Sequence, residues 1–133
     1  MKRIIAFFVS ILLFFTGLFC GCDVASTKWA LTDWSVSIAG PEDYSITLEF
    51  DKKTFSGHCA VNTYGGDYIT LPGNKIRISG IYQTEMAGPP EAMQAESTYL
   101  DLLGKVEKYA INDDVLTLLD KNNDELLTFE KTP

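Results

Sequence analysis

The sequence predicts an α+β fold, mostly β: a compact antiparallel sheet or barrel of about seven or eight short strands with one packed helix. Three observations carry this. Apolar and polar residues alternate in a series of short runs. The runs are separated by Gly, Pro, Asn and Asp, the residues that turn a chain most cheaply. One stretch, residues 89–105, replaces the alternation with helical spacing.

The elements follow in order. "WALTDW" (29–34) places two tryptophans in a first strand, as core and edge aromatics, and "GPED" (40–43) reads as a turn. In "YSITLEF" (44–50), Tyr44, Ile46, Leu48 and Phe50 share one face, and Ser45, Thr47 and Glu49 the other. "DKK" leads into "TFSGHCAVNTY" (54–64), which reads as one strand. Gly65-Gly66 reads as a tight turn into "DYITL", and "LPGNK" (71–75) as the next turn. "KIRISGI" (75–81) turns Ile76 and Ile78 inward and Lys75 and Arg77 outward. Pro89-Pro90, Glu91 in the first turn, and Gly104 followed by Lys105 bracket a helix over about 90–103. Ala92, Ala95, Tyr99, Leu102 and Leu103 line its buried face, with Glu96 and Asp101 elsewhere on the wheel. "VEKYAI" pairs with "VLTLLD" across Asn112-Asp113-Asp114, and "ELLTFEK" follows the turn "KNND".

The first 22 residues, "MKRIIAFFVSILLFFTGLFCGC", have the layout of an export signal: Lys2 and Arg3, then an uncharged apolar run from Ile4 to Phe19. That run falls short of the roughly 20 residues that span a bilayer, which favours a cleaved signal over a membrane anchor helix. Its end, "LFCGC", resembles a bacterial lipobox, with Gly21 before Cys22 and Phe19 where Leu is usual. The resemblance implies a signal peptide over 1–21, diacylglycerol on Cys22 as the new N-terminus, a lipidated tether over 22–28, and a folded domain over 29–133. The expected location is the cell envelope, outside or in the periplasm. Ordinary cleavage after Ala25 and a secreted domain is the alternative.

Net charge is −7, and loss of Lys2 and Arg3 on processing makes it −9. Such a balance repels phosphate backbones and excludes a nucleic-acid partner as the main function. It also offers no polybasic segment for anionic lipid, so membrane attachment is expected through the acyl chains on Cys22. Within the domain only Cys59 remains, so no internal disulfide is expected and the core must hold the fold. A monomer is expected, with no cofactor; the protein or small-molecule partner is not specified.

Candidate chemistry is sparse. His58, the one histidine, adjoins Cys59, but neighbours on a strand face opposite ways and cannot converge on one atom or one metal. A buried small thiol beside a solvent-facing imidazole is expected. "DKNNDELLTFEK" (120–131) has acids spaced like a calcium loop but holds Glu125 at the glycine position and Lys131 at the terminal glutamate position. "YGGDY" lacks the helix and the Lys-Ser/Thr pair of a phosphate cradle. Trp29, Trp34, Tyr44, Tyr64, Tyr68, Tyr82 and Tyr99 fill a core or line a ligand cleft. No catalytic residue and no metal ligand is assigned.

The order of segments resembles the META domain family over Trp29 to Lys131. The resemblance is carried by Trp29 and Leu31, by "GHCAVNTYGGDY" through Gly57, Asn62, Tyr64, Gly66 and Tyr68, and by "TEMAG" through Thr84, Met86 and Ala87. It implies an antiparallel β domain with one helix, these residues acting as structural motif, and no catalytic activity. Relatives are associated with heat or envelope stress and antibiotic tolerance. Many carry cysteines where this chain has Val61 and Gly88, so a link between those segments is expected to be absent. Asn62 and Gly65-Gly66 are expected to supply left-handed turn geometry.

Overall fold

The computed structural model describes residues 24–36 and 40–133; the expected signal segment and Cys22 lie outside them. Eight strands form: β1 (Thr27–Trp34), β2 (Thr47–Phe50), β3 (Thr54–His58), β4 (Thr63–Leu71), β5 (Lys75–Gln83), β6 (Lys108–Asn112), β7 (Val115–Leu119) and β8 (Glu125–Lys131). Among the described residues one α-helix, α1 (Pro90–Leu103), lies between β5 and β6. Each strand pairs antiparallel with the next, and β8 pairs with β1 to close a barrel. Closure leaves no free sheet edge as a template for aggregation, except at one thin seam. There β5 and β6 share a single residue pair, Lys75 with Lys108.

Up-and-down order sends alternate connections to opposite ends. The β2–β3, β4–β5 and β6–β7 turns, the start of β1 and the finish of β8 share one end. The β1–β2 connection, the β3–β4 turn, α1 and the β7–β8 turn share the other.

The helix forms over the predicted residues, and Ala95, Tyr99, Leu102 and Leu103 are buried as the spacing requires. Leu31, Ile46, Leu48 and Phe50 are buried on the inward faces of their segments, and so are both tryptophans. The aromatics stack inside the barrel in tilted and edge-to-face pairs: Phe50–Tyr68 at 4.9 Å, Tyr64–Tyr99 at 5.3 Å and Tyr99–Phe129 at 6.5 Å between centroids. The left-handed turn positions fall on Gly73, Asn74, Asp113 and Asn123, residues that accept positive φ at little cost. Asp120 Oδ1 accepts the backbone N–H groups of Asn122 and Asp124, so the calcium-like stretch is a side-chain-closed hairpin turn.

Four expectations need correction. First, residues 54–64 are two strands, because the chain reverses at Cys59–Asn62: Cys59 N–H donates to the Asn62 carbonyl at 2.8 Å, and Ala60 takes φ 87°. Second, Asn62, Gly65 and Gly66 have no left-handed geometry, and both glycines lie inside β4. They are required for close approach: a Cβ at Gly65 would meet the Phe55 carbonyl oxygen at 2.7 Å, and one at Gly66 the Phe55 ring at 2.7 Å. Third, β2 starts only at Thr47; Pro41–Tyr44 is a 3-10 turn, and Ser45 at φ 53° ends it. Fourth, Glu96 is buried rather than solvated, at 2% exposure. In addition, β1 begins at Thr27, ahead of Trp29, with Val24 fully buried and Trp29 Nε1 donating to Thr27 Oγ1 at 2.8 Å.

Candidate functional site

The buried polar groups gather where α1 meets the β3–β4 turn. Helical spacing puts Glu96 beside Ala95 and one turn before Tyr99 and Leu100, so its carboxylate enters the barrel end with the apolar face. There the turn at Cys59–Asn62 presents its N–H groups inward. Glu96 Oε1 accepts from Asn62 N at 2.8 Å and Val61 N at 3.1 Å, and from the Cys59 thiol at 3.4 Å. Glu96 Oε2 accepts from Asn62 Nδ2 at 2.7 Å and Gln83 Nε2 at 3.3 Å.

Asn62 is saturated in turn. Its Nδ2 also donates to the Met86 carbonyl at 3.1 Å, and its Oδ1 accepts from Thr84 Oγ1 at 2.8 Å and Met86 N at 2.7 Å. An amide with two donors and two acceptors occupied holds one geometry only. Thus Asn62, Thr84 and Met86, three motif residues from two segments, converge on one knot with Glu96. Met86 joins through its backbone, and its side chain stays 60% exposed. Below the knot, Tyr64 OH donates to the Thr47 carbonyl at 2.7 Å and meets Tyr99 OH. Gly57 clears that space: a Cβ there would press on the Thr47 carbonyl and lie 2.9 Å from the Tyr64 ring. Gly66 and Tyr68 belong to β4, where the Tyr68 hydroxyl donates to the Asp51 carbonyl. Trp29 packs in the core from β1. Cys22 lies outside the described residues.

The electrostatics follow from these contacts. Burial pushes Glu96 toward the protonated form. The donors from the Asn62 side chain, the Asn62 and Val61 amides and Cys59 outweigh it, and its carboxyl sits below the ordinary value. Burial, then the hydrogen bond and charge of Glu96, push the Cys59 thiol up to about 12. A protonated, fully buried thiol is a poor nucleophile. His58 turns away: its Nε2 lies 3.1 Å from the Ala60 carbonyl. No His58–Cys59 pair forms; the Cys59 thiol lies 3.1 Å from the Asn62 carbonyl and 3.4 Å from Glu96 Oε1, and its one proton goes to one of these acceptors at a time. Burial raises Tyr64 and Tyr99 well above the ordinary phenol value. The knot can therefore clamp a helix onto a barrel; it lacks a free base and an activated nucleophile.

Of the aromatic residues that could line a cleft, Tyr64, Tyr68 and Tyr99 pack on other rings instead. Trp29, Trp34, Tyr64, Tyr68 and Tyr99 are buried, and Tyr82 is 62% exposed. A surface depression of about 520 Å³ is lined by Lys52, Lys53, Asp67, Tyr68, Ile69 and Thr70. Tyr68 is the one aromatic residue in this lining, beside three charged side chains, unlike a cleft walled by aromatic rings. Among the described residues no cluster of three metal-ligating side chains occurs, and no helix is long and apolar enough to cross a membrane.

Glu96 was the residue sequence reasoning misplaced. Its signal was its position on the apolar face beside Ala95; its charge argued the other way.

Comparison with known proteins bears on the fold. A family model described as META domain matches residues 22–133. An NMR structure of a protein from Burkholderia xenovorans is 23% identical, covers 82% of this chain and 83% of its own, and superposes with a TM-score of 0.68. A crystal structure of a DUF4847 family protein from Bacteroides vulgatus is 15% identical, covers 80% and 93%, and has a TM-score of 0.60. These likenesses show the fold alone. No curated protein sequence matches the chain.

Proposed function

Since this chain belongs to the META domain family, we propose that it is a non-catalytic envelope domain, held at the membrane by acyl chains on Cys22, that acts by binding or structural support in stress or antibiotic tolerance. The observation that carries the non-catalytic part is the state of its buried polar groups. Glu96, Asn62 and Cys59 are consumed by one another and by backbone amides, and the thiol is pushed up to about 12. An enzyme needs at least one group left free and poised for a reacting atom. The anchor rests on the "LFCGC" sequence, and the stress role on the family association alone.

Two measurements test this. Palmitate labelling of cells making the wild type or Cys22→Ala should label only the former; equal absence of label in both removes the anchor. Survival of a deletion strain under heat or antibiotic should be restored by the wild type and equally by Cys59→Ala. Failure of the cysteine variant, at unchanged protein level, would mean the thiol acts chemically.

A further inference from the structure

We infer that the barrel end from which the N-terminal tether leaves is a membrane-contact surface, with the β4–β5 hairpin tip and the β2–β3 turn docking on anionic phospholipid headgroups. This rests on the proposed anchor at Cys22, which fixes which end of the barrel meets the bilayer. Val24 is packed into the barrel, and Thr27 at the start of β1 pairs with Phe50 at the finish of β2. The next residues, Asp51-Lys52-Lys53, turn the chain into β3. An acyl chain two residues before Val24 therefore holds this end close to the lipid surface.

The two ends differ in charge. The connections at the helix end hold nine carboxylates and two lysines. Those at the tether end hold three carboxylates and two lysines, and at the adjoining strand ends Lys28, Lys75 and Lys131 stand beside Glu49 and Glu130. A net charge of −7 for the whole chain hides this polarity. An anionic leaflet repels the helix end and turns the tether end inward.

The hairpin tip has the chemistry of an interfacial element. On its outer face Ile69 is 50% and Leu71 36% exposed, large apolar groups with no partner in the core. Their cross-strand partners are cations: Ile69 faces Arg77, and Leu71 faces Lys75. Side chains directly opposite on a sheet share a face, so two apolar groups and two cations form one patch. Pro72 and Gly73 expose the turn between them. Beside the patch, Lys52 and Lys53 border the 520 Å³ depression with Asp67, Tyr68, Ile69 and Thr70. Apolar side chains enter the headgroup boundary while the amines and guanidinium stay at phosphate level. Asp51 and Asp67 on this side, and Asp113 and Asp114 on the far side of the same end, oppose a flat approach. They favour contact through the hairpin and the lysine turn.

Lysine footprinting on the full-length chain, recovered as the cell makes it, tests the surface. The protein is mixed with vesicles of phosphatidylethanolamine and phosphatidylglycerol and acetylated, and each lysine is read by mass spectrometry. Lys52, Lys53 and Lys75 should react about fivefold more slowly with vesicles present, as partial occlusion at a charged interface requires. Lys105 and Lys121, at the helix end, should keep their rates. Replacing the phosphatidylglycerol by phosphatidylcholine, or making the exposed double variant I69N/L71N, should restore most of the lost reactivity. Equal rates at both ends, or protection that persists in neutral vesicles, overturns the proposal. Palmitate label on the same sample reports the anchor separately. Labelled protein with uniform lysine rates refutes the surface and keeps the anchor, whereas unlabelled protein with end-specific protection does the reverse.

Discussion

Replacing Val61 and Gly88 together by cysteine should create a disulfide that fastens the β3–β4 turn to the segment leading into α1. A Cβ at Gly88 would lie 3.5 Å from Val61 Cβ, at the near limit of the roughly 3.5–4.5 Å that disulfides span. Gly88 has no positive φ, so its backbone accepts a side chain. Either change alone behaves differently. At Gly88, a Cβ meets Val61 Cγ2 at 2.7 Å, so Gly88→Cys alone overpacks and destabilises by about 1–2 kcal/mol. Val61→Cys alone removes a methyl from a half-buried site and costs less than about 1 kcal/mol. Joined, the two close a loop of 28 residues, for which chain entropy gives about 3.5 kcal/mol at 25 °C. Less the lost Val61 packing, about 2–3 kcal/mol remains, or roughly 10 °C in melting temperature for a domain of this size. Thermal unfolding of the double variant with and without dithiothreitol measures it, and tandem mass spectrometry of tryptic peptides shows which thiols are joined. If positions 61 and 88 stay reduced in air, or the bond forms with no rise in melting temperature, the close packing of these two residues is wrong.

Four further outcomes follow from the buried knot and the packing beneath it. Glu96→Ala should destabilise by about 3 kcal/mol, because it strands the Asn62 and Val61 N–H donors, and chemical denaturation reads this directly. The carboxyl of Glu96 is held below its ordinary value of 4.5, so its stabilisation is complete above that pH and drains away as pH falls toward the folded value. The wild type should therefore lose stability below pH 4.5 with a component that Glu96→Gln lacks; parallel pH profiles would contradict this. Cys59, buried with its thiol pushed up to about 12, should resist iodoacetamide at pH 8 in the folded chain and react at once in denaturant. Gly57→Ala should cost upwards of about 3 kcal/mol, since its methyl meets a backbone carbonyl that cannot move without breaking β2, and a normal melting curve would refute that packing.

What was legible in the sequence depended on whether the signal was local. The helix from Pro90 to Leu103 was bounded by residues that act within one turn, and β6–β8 by turns in which Asp113 and Asn123 take positive φ at little cost. The reversal at Cys59–Asn62 carries no such mark. Ala60 takes a left-handed φ that nothing in "HCAVN" advertises, because the strain is repaid by a carboxylate 36 positions away. Gly65 and Gly66 invited a turn reading for the same reason in reverse. Glycine at a turn and glycine under a neighbouring Phe55 ring look alike until the neighbour is known.

Glu96 shows how one join can be made by different chemistry. The segments meeting at Val61 and Gly88 lie close enough to be bonded covalently, and in this chain an apolar contact fills that place. The adjoining amides of Val61 and Asn62 then fall to Glu96, which ties α1 to the turn, while Asn62 ties the turn to Thr84 and Met86. The β5–β6 seam is one residue pair wide, and α1, the segment that joins those strands along the chain, packs instead against β8 and the turn at Pro41–Tyr44. A helix held by a disulfide would survive protonation of its glutamate. The acid-dependent loss is set by the difference between the folded and unfolded values of Glu96, so V61C/G88C should raise stability by a constant and leave the loss below pH 4.5 in place. Glu96→Gln in the cross-linked background should flatten that loss; if it falls in parallel with V61C/G88C below pH 4.5, the acid-sensitive group lies elsewhere than the helix joint.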